Sequence, residues 1–122
     1  MSQSLIVLDT NIALYHLGGR LTVPMPNGLY HVSIITEIEL LSYPTLSQTE
    51  EQQVRNFLAQ LLIVGINDSI KDMAIALRKQ HRLKLPDAII AATAQSLDAL
   101  LLTSDLKLSN ITTLKTQSLP IQ

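Results

Sequence analysis

Cysteine and tryptophan are absent from this chain, and aromatic residues amount to only 3% of its 122 positions. Without thiols there is no disulfide framework, no cysteine nucleophile and no thiolate zinc site. The three histidines, His16, His31 and His81, are too scattered to pair at metal-ligand spacing, so any metal must be held by oxygen. Charge is sparse at 16% against 47% apolar residues, which excludes a disordered chain. Long apolar runs are missing as well. The first, Leu5 to Leu8, is stopped by Asp9, far short of a signal-peptide core, and no later run reaches the roughly 18 residues of a membrane span. The expectation is a soluble, cytoplasmic protein with no membrane partner, folded as one aliphatic-cored domain over 1–122. A formal net charge of −1 and a pI near 6.2 provide no global attraction to nucleic acid.

Four apolar stretches nevertheless end in or enclose acidic residues: Leu5–Asp9, Thr36–Leu41 with Glu37 and Glu39, Leu85–Ile90 with Asp87, and Leu100–Asp105. Burying a charge is costly unless it is paired, hydrogen-bonded or bound to metal, so several such residues in one small domain suggest a shared counter-ion. Basic charge is concentrated elsewhere. Arg78, Lys79, Arg82 and Lys84 lie just ahead of Asp87, either as a solvated helix end or as a phosphate-binding patch.

Residues 4–8 read as a buried strand, and Asp9-Thr10-Asn11 as the start of a short helix to about Leu17. Gly18-Gly19 ends that helix, and a loop continues through Gly28. A strand at 30–34 and a helix over 35–43 follow, broken by Pro44. Ser47 with Glu50 resembles a capping box for a helix over 48–60. Leu61–Ile66 makes a third strand. Asp68 or Ser69 caps a helix to about Arg82, with Ile70, Met73, Ala74 and Leu77 as its apolar stripe. Pro86 opens a helix apolar nearly all round, which must be central. Residues 99–103 form a fourth strand, and 111–116 a short edge strand before a loose tail. Continuous rather than alternating apolar strands separated by helices argue for a three-layer α/β/α sandwich around a parallel sheet of four to five strands. In such sheets the ligand site lies beyond the carboxyl ends of the strands, near a switch in strand order, where Asp9 and Asp105 both fall.

Each acid has a plain alternative role: Asp9 as a helix cap, Asp87 as a favourable charge in a first turn, Asp105 as a turn residue. Glu37 and Glu39 flank opposite sides of their helix stripe, and periodicity does not choose between them. The joint case is stronger, because two charges about 5 Å apart cost roughly 3 kcal/mol at an effective dielectric near 20, a penalty that a hard cation removes. Mg²⁺ or Mn²⁺ suits such oxygen donors, and takes phosphate oxygens in its remaining positions.

The ordered set Leu8-Asp9-Thr10-Asn11-Ile12, Ser33 to Leu40, Pro86-Asp87-Ala88-Ile89-Ile90-Ala91-Ala92 and Leu102-Thr103-Ser104-Asp105 resembles a PIN domain, and within that family the VapC-type toxins of toxin–antitoxin pairs. The resemblance implies a catalytic acidic cluster at Asp9, Glu39, Asp87 and Asp105, choosing Glu39 over Glu37, with Asp9, Asp87 and Asp105 as metal ligands. Asn11 and Thr103 match supporting polar positions. It further implies a Mg²⁺- or Mn²⁺-dependent endoribonuclease leaving 5′-phosphate and 3′-hydroxyl ends, an RNA substrate held in part by Arg78, Lys79, Arg82 and Lys84, an antitoxin partner and a homodimer. The alternative within the family is a non-catalytic PIN module that binds RNA or protein. A receiver-type phosphotransfer domain would need paired acids after the first strand, where only Asp9 stands. The chain departs from many relatives after Asp105, where Leu106, Lys107 and Leu108 replace a further acid, and at Ser42-Tyr43-Pro44, where a small residue is usual.

Overall fold

The computed structural model describes residues 3–122. Five parallel strands, β1 (Leu5–Leu8), β2 (Leu29–Ser33), β3 (Leu62–Val64), β4 (Leu100–Leu102) and β5 (Lys115–Gln117), form one sheet in the order β3-β2-β1-β4-β5. Six helices connect them: α1 (Thr10–Leu17), α2 (Ile34–Leu41), α3 (Gln48–Leu58), α4 (Asp68–His81), α5 (Leu85–Ser96) and α6 (Leu106–Ser109). The chain steps outward from β1 through β2 to β3, then returns to lay β4 on the other side of β1. The strand order therefore reverses between β1 and β4.

The three layers follow from strand geometry, since successive side chains point to opposite faces. Val7 and Leu101 enter one core with Ile70, Ala74 and Leu77 of α4 and the apolar surface of α5. Ile6, Leu8 and Leu102 enter the other, with Ile12 of α1 and Val54, Phe57 and Leu58 of α3. Because both faces are covered, the central strands read as unbroken apolar runs. Helix α5 is buried at every position from Ala88 to Ala94, which accounts for its lack of a polar face. No helix among the described residues is long and apolar enough to cross a membrane.

The expected capping box holds in detail. Ser47 and Glu50 form a reciprocal capping box, with bonds of 3.1 and 3.0 Å. Gly28 is required by close approach, since a Cβ there would lie 2.6 Å from Ile6 Cδ1 and 2.7 Å from the Ser4 carbonyl oxygen.

Other expectations need correction. The cap of α4 is Asn67, whose side chain accepts from the Ile70 N–H at 2.8 Å, rather than Asp68 or Ser69. Strand β3 is an edge strand, three residues long, with Leu62 56% exposed, because an apolar run by itself does not reveal its position in a sheet. The last strand begins at Lys115, while Ile111 and Leu114 turn into the core. Nor is the tail loose. Gln122 N–H donates to the Arg20 carbonyl at 2.9 Å, Arg20 Nε donates back to the Gln122 carbonyl at 3.0 Å, and Leu21 bridges Ile121.

Candidate active site

The register that pairs Leu8 with Leu102 brings the ends of β1 and β4 side by side at the switch point, and Asp9 N–H continues the ladder to the Leu102 carbonyl at 3.0 Å. The next side chains therefore meet. Thr103 Oγ1 donates to Asp9 Oδ2 at 2.7 Å and accepts from the Asp105 N–H at 3.1 Å. Asp9 is only 5% exposed and occupies the N-cap position of α1, yet its side chain makes no capping bond. The plain helix-cap role is not the one it plays. Asp105 does take its turn role with one oxygen, Oδ1, which accepts from the Lys107 N–H at 2.8 Å and starts α6.

Helix α5 places half-buried Asp87 in its first turn behind Pro86, and α2 contributes the fourth carboxylate. Thr10 Oγ1 donates to Glu39 Oε1 at 2.7 Å and lies 3.0 Å from Thr36 Oγ1. Glu37 faces a different groove, with Arg55, Leu58 and Ile63, so tertiary packing separates the two glutamates that periodicity left equivalent.

The electrostatics bind these residues into one cluster. Burial raises the pKa of Asp9, against the hydrogen bond from Thr103, and the negative charges of Asp87 and Asp105 push it higher. Asp87 is raised by burial, then by Asp105 and Glu39, with Lys84 and Lys107 pulling it down. The ion pairs among the described residues, Arg55–Glu51, Lys71–Asp68 and Lys115–Asp98, all lie on the surface and include none of the four acids. Their charge is offset only by hydrogen bonds and the more distant lysines.

Among the described residues, no three His, Cys, Asp or Glu side chains stand close enough to hold a metal ion together. As placed, the carboxylates sense one another without converging on a single point. The chemistry of the donor set still fits a hard cation: all the donors are oxygens, two of them are disfavoured as anions by burial and mutual repulsion, and no arginine neutralises them.

The basic run divides. Lys84 acts on Asp87, whereas Arg78, Lys79 and Arg82 line a groove of ≈ 580 Å³ floored by Ile75, Leu83 and Ile89 and by no acidic residue. Arg82 also ends α4 in the left-handed conformation, at φ 54°. Asn11, beside Asp9, is exposed. Sequence reasoning missed Lys107 as a cation of the site, Thr10 as the partner of Glu39, and Thr36 as the partner of Thr10. The signal for Thr36 was present: a β-branched polar residue one turn before Glu39, next to the apolar Ile34-Ile35.

The PIN domain model matches residues 6–114. A chain of a toxin–antitoxin complex from Klebsiella pneumoniae is 32% identical, superposes with a TM-score of 0.76, and aligns over 89% of this chain and 94% of its own. A chain of VapBC-1 from nontypeable Haemophilus influenzae is 28% identical, with a TM-score of 0.70 and coverage of 93% and 97%. At 22% identity, a chain of VapBC2 from Rickettsia felis shares the fold, with a TM-score of 0.77 over 95% of this chain and 99% of that one. No curated protein sequence matches significantly. With the family model spanning nearly the whole sheet and its site, the chain belongs to the PIN-domain family.

Proposed function

We propose that this chain is a Mg²⁺- or Mn²⁺-dependent endoribonuclease acting as the toxin of a type II toxin–antitoxin pair. The observation that carries the proposal is that Asp9, Glu39, Asp87 and Asp105, from four separate elements around the switch point of the sheet, lie within one another's electrostatic reach with no ion-pair partner among the described residues. A structural scaffold gains nothing from mutually repelling carboxylates, whereas a phosphodiesterase uses them.

In this reading Asp9, Asp87 and Asp105 would hold the cation. When bound, it neutralises charge at the scissile phosphate and acidifies a water. Thr103 fixes the Asp9 carboxylate through its 2.7 Å bond to Oδ2. Glu39 removes the proton of the attacking water. Lys84 and Lys107, both within the field of Asp87, steer the RNA backbone to the site, and Arg78, Lys79 and Arg82 extend that basic track over the end of α4. Asn11 supports the pocket at its exposed rim. An antitoxin is the protein partner, by likeness to the toxin–antitoxin complex, and a second copy of the chain is the partner that the family resemblance implies.

The test is cleavage of total bacterial RNA by purified protein with Mg²⁺, Mn²⁺ or chelator, beside folded Asp9→Asn and Asp87→Asn variants. Metal-dependent cutting that both variants lose supports the reading. A well-folded wild type that binds metal and RNA but cuts no RNA would leave the non-catalytic module in its place.

A further inference from the structure

Thr36 is a polar side chain beside the acidic cluster that the mechanism above leaves unused. It is fully buried on α2, one turn before Glu39, where valine would occupy nearly the same volume without a hydroxyl to satisfy. Its side-chain partner is Thr10, with the two Oγ1 atoms 3.0 Å apart.

Proton accounting gives that contact a direction. An ionised carboxylate only accepts, so the 2.7 Å bond from Thr10 Oγ1 to Glu39 Oε1 consumes the single hydroxyl proton of Thr10. The Thr10 oxygen can then only accept, and the donor is Thr36. The relay runs from Thr36 through Thr10 to Glu39, and each hydroxyl that accepts a bond becomes a better donor in turn. Thr10 directly follows Asp9, so the relay also ties the start of α1 to the face of α2 that carries Glu39.

Resting on the nuclease reading, we propose that Thr36 is a positioning residue which, through Thr10, holds Glu39 Oε1 in place so that Oε2 is presented to the attacking water. Thr36 touches no substrate. Its contribution is the orientation of a general base whose side chain would otherwise sample several rotamers.

The experiment compares Thr36→Val, Thr36→Ala and Thr36→Ser in steady-state RNA cleavage. The valine and alanine variants should lose roughly ten-fold in kcat with KM unchanged, while serine, which keeps the hydroxyl, stays within about two-fold of wild type. Serine as impaired as alanine would overturn the proposal and leave a packing role. A second measurement does not depend on cleavage: urea unfolding of wild type, Thr36→Val, Glu39→Ala and the double variant. The relay requires non-additive costs, because removing Glu39 frees the Thr10 proton to rearrange. Additive costs would sink the relay alone, whereas a wild type that cuts no RNA would sink the nuclease reading and the role of Glu39 with it.

Discussion

The acidic edge between β1 and β4 and the groove beside α4 differ in nearly every physical property. The groove encloses ≈ 580 Å³, with an aliphatic floor and the cationic rim of Lys71, Arg78, Lys79 and Arg82. The acidic edge is tightly bonded, with Asp9 and Glu39 each held by a threonine at 2.7 Å, and Asp9 and Asp87 are raised in pKa by burial and by neighbouring carboxylates. Cavity volume follows apolar surface left uncovered between helices. Chemical capacity follows charge held where it is disfavoured. The two regions need not coincide, and in this protein the apolar groove is the poorer guide to the reactive groups.

The sharpest way to break the contrast is catalytic. Asp87→Asn should lower RNA cleavage by about 10³-fold or more, as loss of a group that acts on the transition state does, while Ile75→Ala on the groove stays within about two-fold. Comparable losses in kcat/KM would make the two regions one site.

Next comes stability. Ile90→Ala removes a side chain from the core that supports the acidic edge, 1% exposed, and should cost roughly 2–5 kcal/mol in urea unfolding. Ile75→Ala, at 53% exposure, should stay within about 0.5 kcal/mol. A large cost at Ile75 would mean that the groove is structural.

A third prediction concerns pH and metal. Because folded Asp9 and Asp87 hold their protons more tightly than the ordinary 3.8 of the unfolded chain, the stability they contribute is full below that value. It is lost as pH rises through their raised folded pKa values. Metal-free Asp87→Asn should therefore be at least as stable as wild type at neutral pH, and Mg²⁺ or Mn²⁺ should raise Tm for wild type much more than for the variant. A metal-free variant clearly less stable than wild type at neutral pH would show that Asp87 has a stabilising partner and that the edge is not strained.

The smallest effect is in RNA binding. Removing Lys84 or Lys107, the cations that act on Asp87, should reduce the salt slope of affinity by about one each, and removing Lys79 by less. An equal reduction at Lys79 would place the groove rim as firmly on the RNA path as the acidic edge.

Much of this contrast is legible in the sequence. The strand runs at residues 4–8 and 99–103, the capping box at Ser47 and Glu50, and the all-round apolar character of α5 each depend on local composition, and each was found close to where it was expected. Periodicity could not tell Glu39 from Glu37, because the two sit on either side of one stripe; the family resemblance chose Glu39, and the neighbours packed against α2 separate the two. The basic run between 78 and 84 looked like one patch, but the left-handed turn at Arg82 ends α4 and leaves Lys84 on the side of Asp87. Lys107 on α6 and Asp87 on α5 are separated in the chain by β4, and only the fold brings their charges within reach of each other.

By itself the sequence determined the class of fold and the oxygen chemistry available to a metal, since hydrophobic periodicity and the lack of cysteine are properties of residue order and type. The tertiary structure decided which carboxylates share a field, what each glutamate packs against, and that threonines rather than basic side chains hold Asp9 and Glu39. Those relations depend on distances between residues remote in the chain, which are set when β4 returns to the side of β1.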